Sequence, residues 1–112
     1  MDEITRKRLE AQATILKAVA HSTRLYIVSE LGLGRRCVSE LTEAVGADAS
    51  TVSKHLLVLK NAGMVTDEKV NTSVYYSLAT PCVLNFLGCV DAVLRANAAR
   101  HVELLIPEKQ EV

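Results

Sequence analysis

Two groups of residues in this chain could do chemistry. The first is three cysteines, Cys37, Cys82 and Cys89, and the second is the run Ser50-Thr51-Val52-Ser53-Lys54-His55. Thiolates are soft ligands that favour thiophilic ions. Trivalent arsenic or antimony would be satisfied by three of them in a pyramidal arrangement, so the count fits As(III) or Sb(III), with another thiophilic metal second to these. No Cys-x-x-Cys pair is present, and neither is a Gly-rich phosphate loop. A catalytic thiol would need a nearby base or a resolving partner, so an enzyme is not expected. The hydroxyl-rich run suits a different partner. Short Ser and Thr side chains let a backbone approach phosphates, and Lys54 and His55 add groups that suit a major groove.

The elements that must hold these residues can be read from periodicity. Residues 3–20 carry Leu9, Ala13, Leu16 and Ala20 at helical spacing, with Ile15 and Val19 alongside. After His21, Ser22 or Thr23 is placed to cap a second helix through Ile27, Val28 and Leu31, which Gly32 and Gly34 close. Arg35 and Arg36 lie in the connection. A third helix follows, with Val38, Leu41 and Val45 inward, Gly46 at its end, and Cys37 with Glu40 set out as a capping box whose hydroxyl is replaced by a thiol. Asp48 or Ser50 caps a fourth helix, in which Val52, Leu56 and Leu59 repeat turn by turn.

The period then changes from helical to strand-like. Residues 64–69 and 73–78 read as a β-hairpin. Thr80, as N-cap, and Pro81, at the first helical position, open a last helix that runs to about residue 106. The expectation is a single domain over 1–112, mainly α with a small β-hairpin. Two short helices around a Gly-containing turn form a helix-turn-helix over 38–62, and the hairpin over 64–78 makes it a winged helix-turn-helix. Lys60 and Lys69, with Asn71 and Thr72 at the wing tip, are placed to reach flanking phosphates, giving a DNA-binding set of Ser50, Thr51, Ser53, Lys54, His55, Lys60, Lys69, Asn71 and Thr72.

Thirteen basic residues balance thirteen acidic ones, so any DNA-binding charge must be gathered on one face and the acidic residues kept elsewhere. The charged N-terminus lacks the apolar core of a secretory signal, and no apolar run approaches the ~20 residues of a membrane span. An odd number of cysteines without a close pair fits a reducing compartment. These features point to a cytoplasmic protein without a membrane partner. The last helix carries Leu84, Leu87, Val90, Val93 and Leu94, with Val83 and Phe86 adding width, and so needs two partners: its own core and a second copy of the chain.

The stretches AVAHSTRLYIVSELG, CVSELTEAVGADASTVSKHLLVLKNAGMV and VYYSL, in this order and spacing, closely resemble the ArsR/SmtB family of winged-helix repressors. The resemblance covers most of residues 18–78. It implies a homodimer through the first and last helices, over 3–20 and 80–106, with two recognition helices in successive major grooves. It also implies release from a double-stranded DNA operator when an effector binds, with no obligatory cofactor. The wing departs from the family pattern: Asn71, Thr72 and Ser73 stand where Arg is common, which predicts modest affinity and a shallow salt dependence.

The family's effector sites match this chain unevenly. The arsenic-type site resembles a Cys-Val-Cys, and here the run is Cys37-Val38-Ser39. The zinc-type site fails, because Asp91-Ala92-Val93 lacks the first His and the spacing around His101 and Glu103 is wrong. What remains is the trio Cys37, Cys82 and Cys89. Cys82 and Cys89 share a helix face but stand seven residues apart, so one small ion needs either a bent lead-in or a thiol from the partner; a two-thiol site, or Cys37 joining one cysteine of the last helix, is the other arrangement. Cys89 also suits a packing role among Phe86, Val90 and Val93. Sensing of oxidants or reactive sulfur is the alternative, weakened because Ser29 stands where sulfur-sensing relatives carry a Cys. Response to a non-metal effector also remains open.

Overall fold

The computed structural model describes residues 1–98. These divide into a unit spanning Met1–Thr80 and a second that begins at Pro81. The first unit holds α1 (Glu3–Val19), α2 (Ser22–Leu31), β1 (Arg36–Cys37), α3 (Val38–Val45), α4 (Ala49–Asn61), β2 (Val65–Val70) and β3 (Ser73–Leu78); the second holds α5 (Val83–Ala96).

Helix ends follow from local hydrogen bonding. Asp2 caps α1 by accepting from the Thr5 N–H at 2.7 Å. The cap of α2 is His21, not the expected Ser22 or Thr23: its Nδ1 accepts from the Thr23 N–H at 3.1 Å. Cys37 caps α3 as expected, and its N–H donates to Glu40 Oε1 at 2.9 Å. The turn between α3 and α4 depends on Gly46, held at φ 79°, whose N–H donates to the Thr42 carbonyl. A side chain there would be strained, which is why glycine ends α3.

The core of the first unit collects Ala18 and Val19 from α1 and Ile27, Val28 and Leu31 from α2. Leu41 from α3, the spine Val52, Leu56 and Leu59 of α4, and Met64 and Val65 complete it. Of the stripe expected on α1, only its C-terminal end is buried; Leu9, Ile15 and Leu16 stay exposed. A 17-residue helix that buries only Ala18 and Val19 leaves most of its apolar face exposed among the described residues.

The hairpin has one strand more than expected. β3 lies between β2 and β1, antiparallel to both, with Arg36 opposite Tyr76 and Cys37 opposite Tyr75. Of the two residues of β1, the sequence places Arg36 in a connection and Cys37 at the cap of α3, because a run so short shows no alternation. On the other side Val70 faces Ser73, leaving a two-residue turn in which Asn71 takes φ 58°. Asparagine tolerates that left-handed geometry better than most residues.

The last helix starts later than expected. Pro81 and Cys82 form a turn, Leu84 and Asn85 bond back to their carbonyls, and α5 runs Val83–Ala96 with no cap from Thr80. Its expected continuation to residue 106, with His101 and Glu103, falls outside the described residues. None of its residues is buried. Among the described residues no helix is long and apolar enough to cross a membrane.

Candidate nucleic-acid interface

The start of α4 is built by Asp48. Its carboxylate accepts from the Thr51 N–H at 2.8 Å and from the Ser50 hydroxyl at 3.0 Å. The Thr51 bond, with help from Ser50 and the charge of Lys54, holds this carboxyl below the usual Asp range. The acid therefore stays ionised and the helix end stays fixed. From that cap the 3.6-residue period separates two faces. Val52, Leu56 and Leu59 are buried, while Ser50, Thr51, Ser53 and Lys54 are exposed.

His55 does not share that exposed face. It lies on the inner side of α4, half-buried, with Nδ1 3.2 Å from an Arg24 Nη1 and its ring 4.6 Å from that of His21. A guanidinium can only donate, so Nδ1 accepts and the neutral imidazole carries its proton on Nε2. Burial lowers the pKa of His55, and electrostatic interaction with the neighbouring His21 ring and the Arg24 guanidinium lowers it further. The sequence leaves His55 as a DNA contact or a packing residue; the geometry makes it a tie between α4 and the α1–α2 corner. Arg24 completes the tie by donating Nε–H to the Ala18 carbonyl at 2.6 Å.

Lys60 is also engaged. Its ammonium lies 2.9 Å from Asp67 Oδ2 on β2, and that hydrogen bond and charge raise its pKa. Arg35 makes a matching contact on the other side of the wing, 3.2 Å from Glu68 Oε1 and 4.7 Å above the Tyr75 ring. The acidic residues of β2 are thus not kept away from the wing, as net neutrality suggested, but are each countered by a basic neighbour. Lys69, Asn71 and Thr72 remain exposed along and at the tip of the hairpin. An open groove of about 530 Å³ separates α3 from the wing, lined by Cys37, Ser39, Thr42, Glu43, Thr72 and Ser73 among others. Sequence reading missed Arg24, Arg35 and Asp67 in these roles, since Arg24–His55 and Arg35–Glu68 are more than thirty positions apart and Lys60–Asp67 meet only because the chain turns from α4 into β2.

The thiols stand in different settings. Cys37 is buried, its Sγ 3.1 Å from the Ser39 hydroxyl. Cys82 and Cys89 are exposed. Cys82 keeps helical dihedrals, φ −63° and ψ −14°, so no bent lead-in brings it back toward Cys89. Seven residues at about 1.5 Å each leave roughly 10 Å between them along α5. Among the described residues no three His, Cys, Asp or Glu side chains are placed to hold a metal ion within one chain.

The family model for bacterial regulatory proteins of the arsR family matches residues 21–67, from the cap of α2 into β2. The HTH-type transcriptional repressor SmtB of Mycobacterium tuberculosis is 38% identical over 92 residues, spanning 82% of this chain and 67% of that protein. The arsenical resistance operon repressor of Bacillus subtilis is 38% identical over 79 residues, 70% of this chain and 75% of the relative. Among solved structures, the homodimeric winged helix-turn-helix DNA-binding domain Mb0332 of Mycobacterium bovis, a possible ArsR-family transcriptional regulator, superposes with a TM-score of 0.76 at 29% identity, covering 90% of this chain and 94% of that one.

Proposed function

Because this chain belongs to the arsR family of bacterial regulatory proteins, we propose that it is a homodimeric transcriptional repressor that binds double-stranded operator DNA and leaves it when its thiols capture an effector. The observation that carries the DNA reading is the exposed stripe of Ser50, Ser53 and Lys54 opposite the buried spine of α4, beside a hairpin wing. Such a stripe offers hydrogen-bond donors and one charge to a major groove, and the wing adds Lys69 and the polar tip. Dimerisation is supported by two apolar faces exposed among the described residues: Ile15 and Leu16 on α1, and Phe86, Val90 and Val93 on α5. The Mycobacterium bovis neighbour is itself homodimeric.

For the effector, the reading is a thiophilic metalloid, As(III) or Sb(III), held between subunits by Cys82 or Cys89 of one chain together with thiolate from the second, because about 10 Å of helix separates the two within a chain. The exposure of both thiols supports it, since free cysteine is ordinarily among the most buried residue types. The Bacillus subtilis relative is named for arsenical resistance. Cys37 joins such a site only by giving up its bond to Ser39, which makes it the third choice of the trio.

Fluorescence anisotropy of the reduced protein on its own upstream DNA, titrated with arsenite and then with a mild oxidant, tests this. Salt-sensitive binding released by near-stoichiometric arsenite, and retained in Cys82→Ser and Cys89→Ser, is the expected result. Release by oxidant alone moves the effector to reactive oxygen or sulfur species. Absence of any salt-sensitive duplex binding removes the repressor reading.

A further inference from the structure

Leu57 is a large apolar side chain on the wrong face of α4 for a core residue. Its neighbour Leu56 and the next spine residue Leu59 are fully buried, whereas Leu57 is 56% exposed. Single exposed leucines are ordinary on protein surfaces, but the position of this one is not arbitrary. At about 100° per residue, Ser50, Ser53, Lys54 and Asn61 all lie within roughly 60° of it around the helix. Leu57 is therefore the centre of the exposed stripe and points about 140–160° away from Val52 and Leu59. Every other residue of that stripe carries a polar group.

We infer that Leu57 is a specificity-determining residue that packs against the C5-methyl group of a thymine in each operator half-site. This rests on the DNA-binding reading above. A leucine can neither donate nor accept a hydrogen bond, and in the major groove the only apolar group on a base-pair edge is the thymine methyl. The hydroxyls of Ser50 and Ser53 and the ammonium of Lys54 fix the helix against phosphates and base edges. Leu57, one and two turns further along the same stripe, then meets the groove wall where a methyl can be covered. Water removed from both apolar surfaces supplies the preference, and it acts on thymine alone.

Replacing thymine by deoxyuridine removes that methyl and nothing else. On duplexes carrying the upstream operator, each thymine pair related by the operator's two-fold axis is changed to deoxyuridine in turn, and affinity is measured for the native protein and for Leu57→Ala. The expectation is one position at which the native protein weakens about fourfold per half-site, the worth of one buried methyl. In Leu57→Ala the same change has no effect. If no position couples to residue 57, or if Leu57→Ala weakens all duplexes equally, the inference is wrong although the repressor reading stands. If the native protein binds no duplex in a salt-sensitive way, the repressor reading falls first.

Discussion

Arg24 at the start of α2 donates to Nδ1 of His55 in the middle of α4, at 3.2 Å, across 31 positions of sequence. The bond exists only while His55 is neutral. Burial and electrostatic interaction with His21 and Arg24 lower the pKa of His55 from 6.5, so between that lowered value and 6.5 the unfolded chain binds a proton that the folded one refuses. Stability from this group is therefore complete above about pH 6.5 and declines as pH falls through the window below it. Thermal melts from pH 8 to pH 5 are expected to show this loss in the native protein and a flatter profile in His55→Gln.

Arg24 holds two acceptors at once, the His55 ring and the carbonyl of buried Ala18 in the last turn of α1. Truncation in Arg24→Ala leaves both unpaired, at a cost of about 2 kcal/mol. Urea unfolding followed by circular dichroism measures it, and a change under 0.5 kcal/mol would mean that the corner does not depend on this side chain.

Adjacent leucines should behave as opposites. Leu56 is fully buried, so Leu56→Ala is expected to cost about 2–5 kcal/mol. Leu57 is exposed, so Leu57→Ala should change stability by less than about 0.5 kcal/mol. The same denaturation experiment checks both, and the second result certifies the variant for the thymine test.

Neutralising Asp67 should release a cation. In Asp67→Asn the Lys60 ammonium loses its 2.9 Å partner and becomes free to meet a phosphate. The slope of log affinity against log salt is expected to steepen by about one per subunit. An unchanged slope in an anisotropy series over sodium chloride would place Lys60 out of reach of the duplex.

Gly46 carries the geometry of the turn before the recognition helix. No atom lies within 4 Å of the place where a side chain would start, so an alanine there meets strain from φ 79° alone. Gly46→Ala is expected to cost about 1 kcal/mol, and Gly46→Asn less. Chemical denaturation of the two variants separates conformational strain from crowding, which would penalise Asn more.

The helices and the hairpin were legible because their signals are local: the spine of α4 repeats every turn, Gly46 stands where α3 must stop, and after Gly63 the helical period gives way to two short runs around Asn71-Thr72. What escaped was pairwise and distant. His55 sits among polar neighbours in the sequence and reads as part of their surface, yet at helical spacing it falls on the inner side of α4, and its ties to Arg24 and His21 depend on how α2 packs. Lys60 reads as a free cation until β2 folds back and brings Asp67 beside it. β1 has two residues, too few for any period, and is defined by its neighbour β3. The later start of α5 reflects Pro81 and Cys82 folding into a turn, where a proline is equally at home in a first helical turn.

Among the described residues, a 14-residue α5 that buries none of its side chains gains little from packing, and isolated helices of this length are marginal in water. In a homodimer such as the Mycobacterium bovis neighbour forms, a second copy covers part of such a face, so the winding of α5 is expected to follow protein concentration.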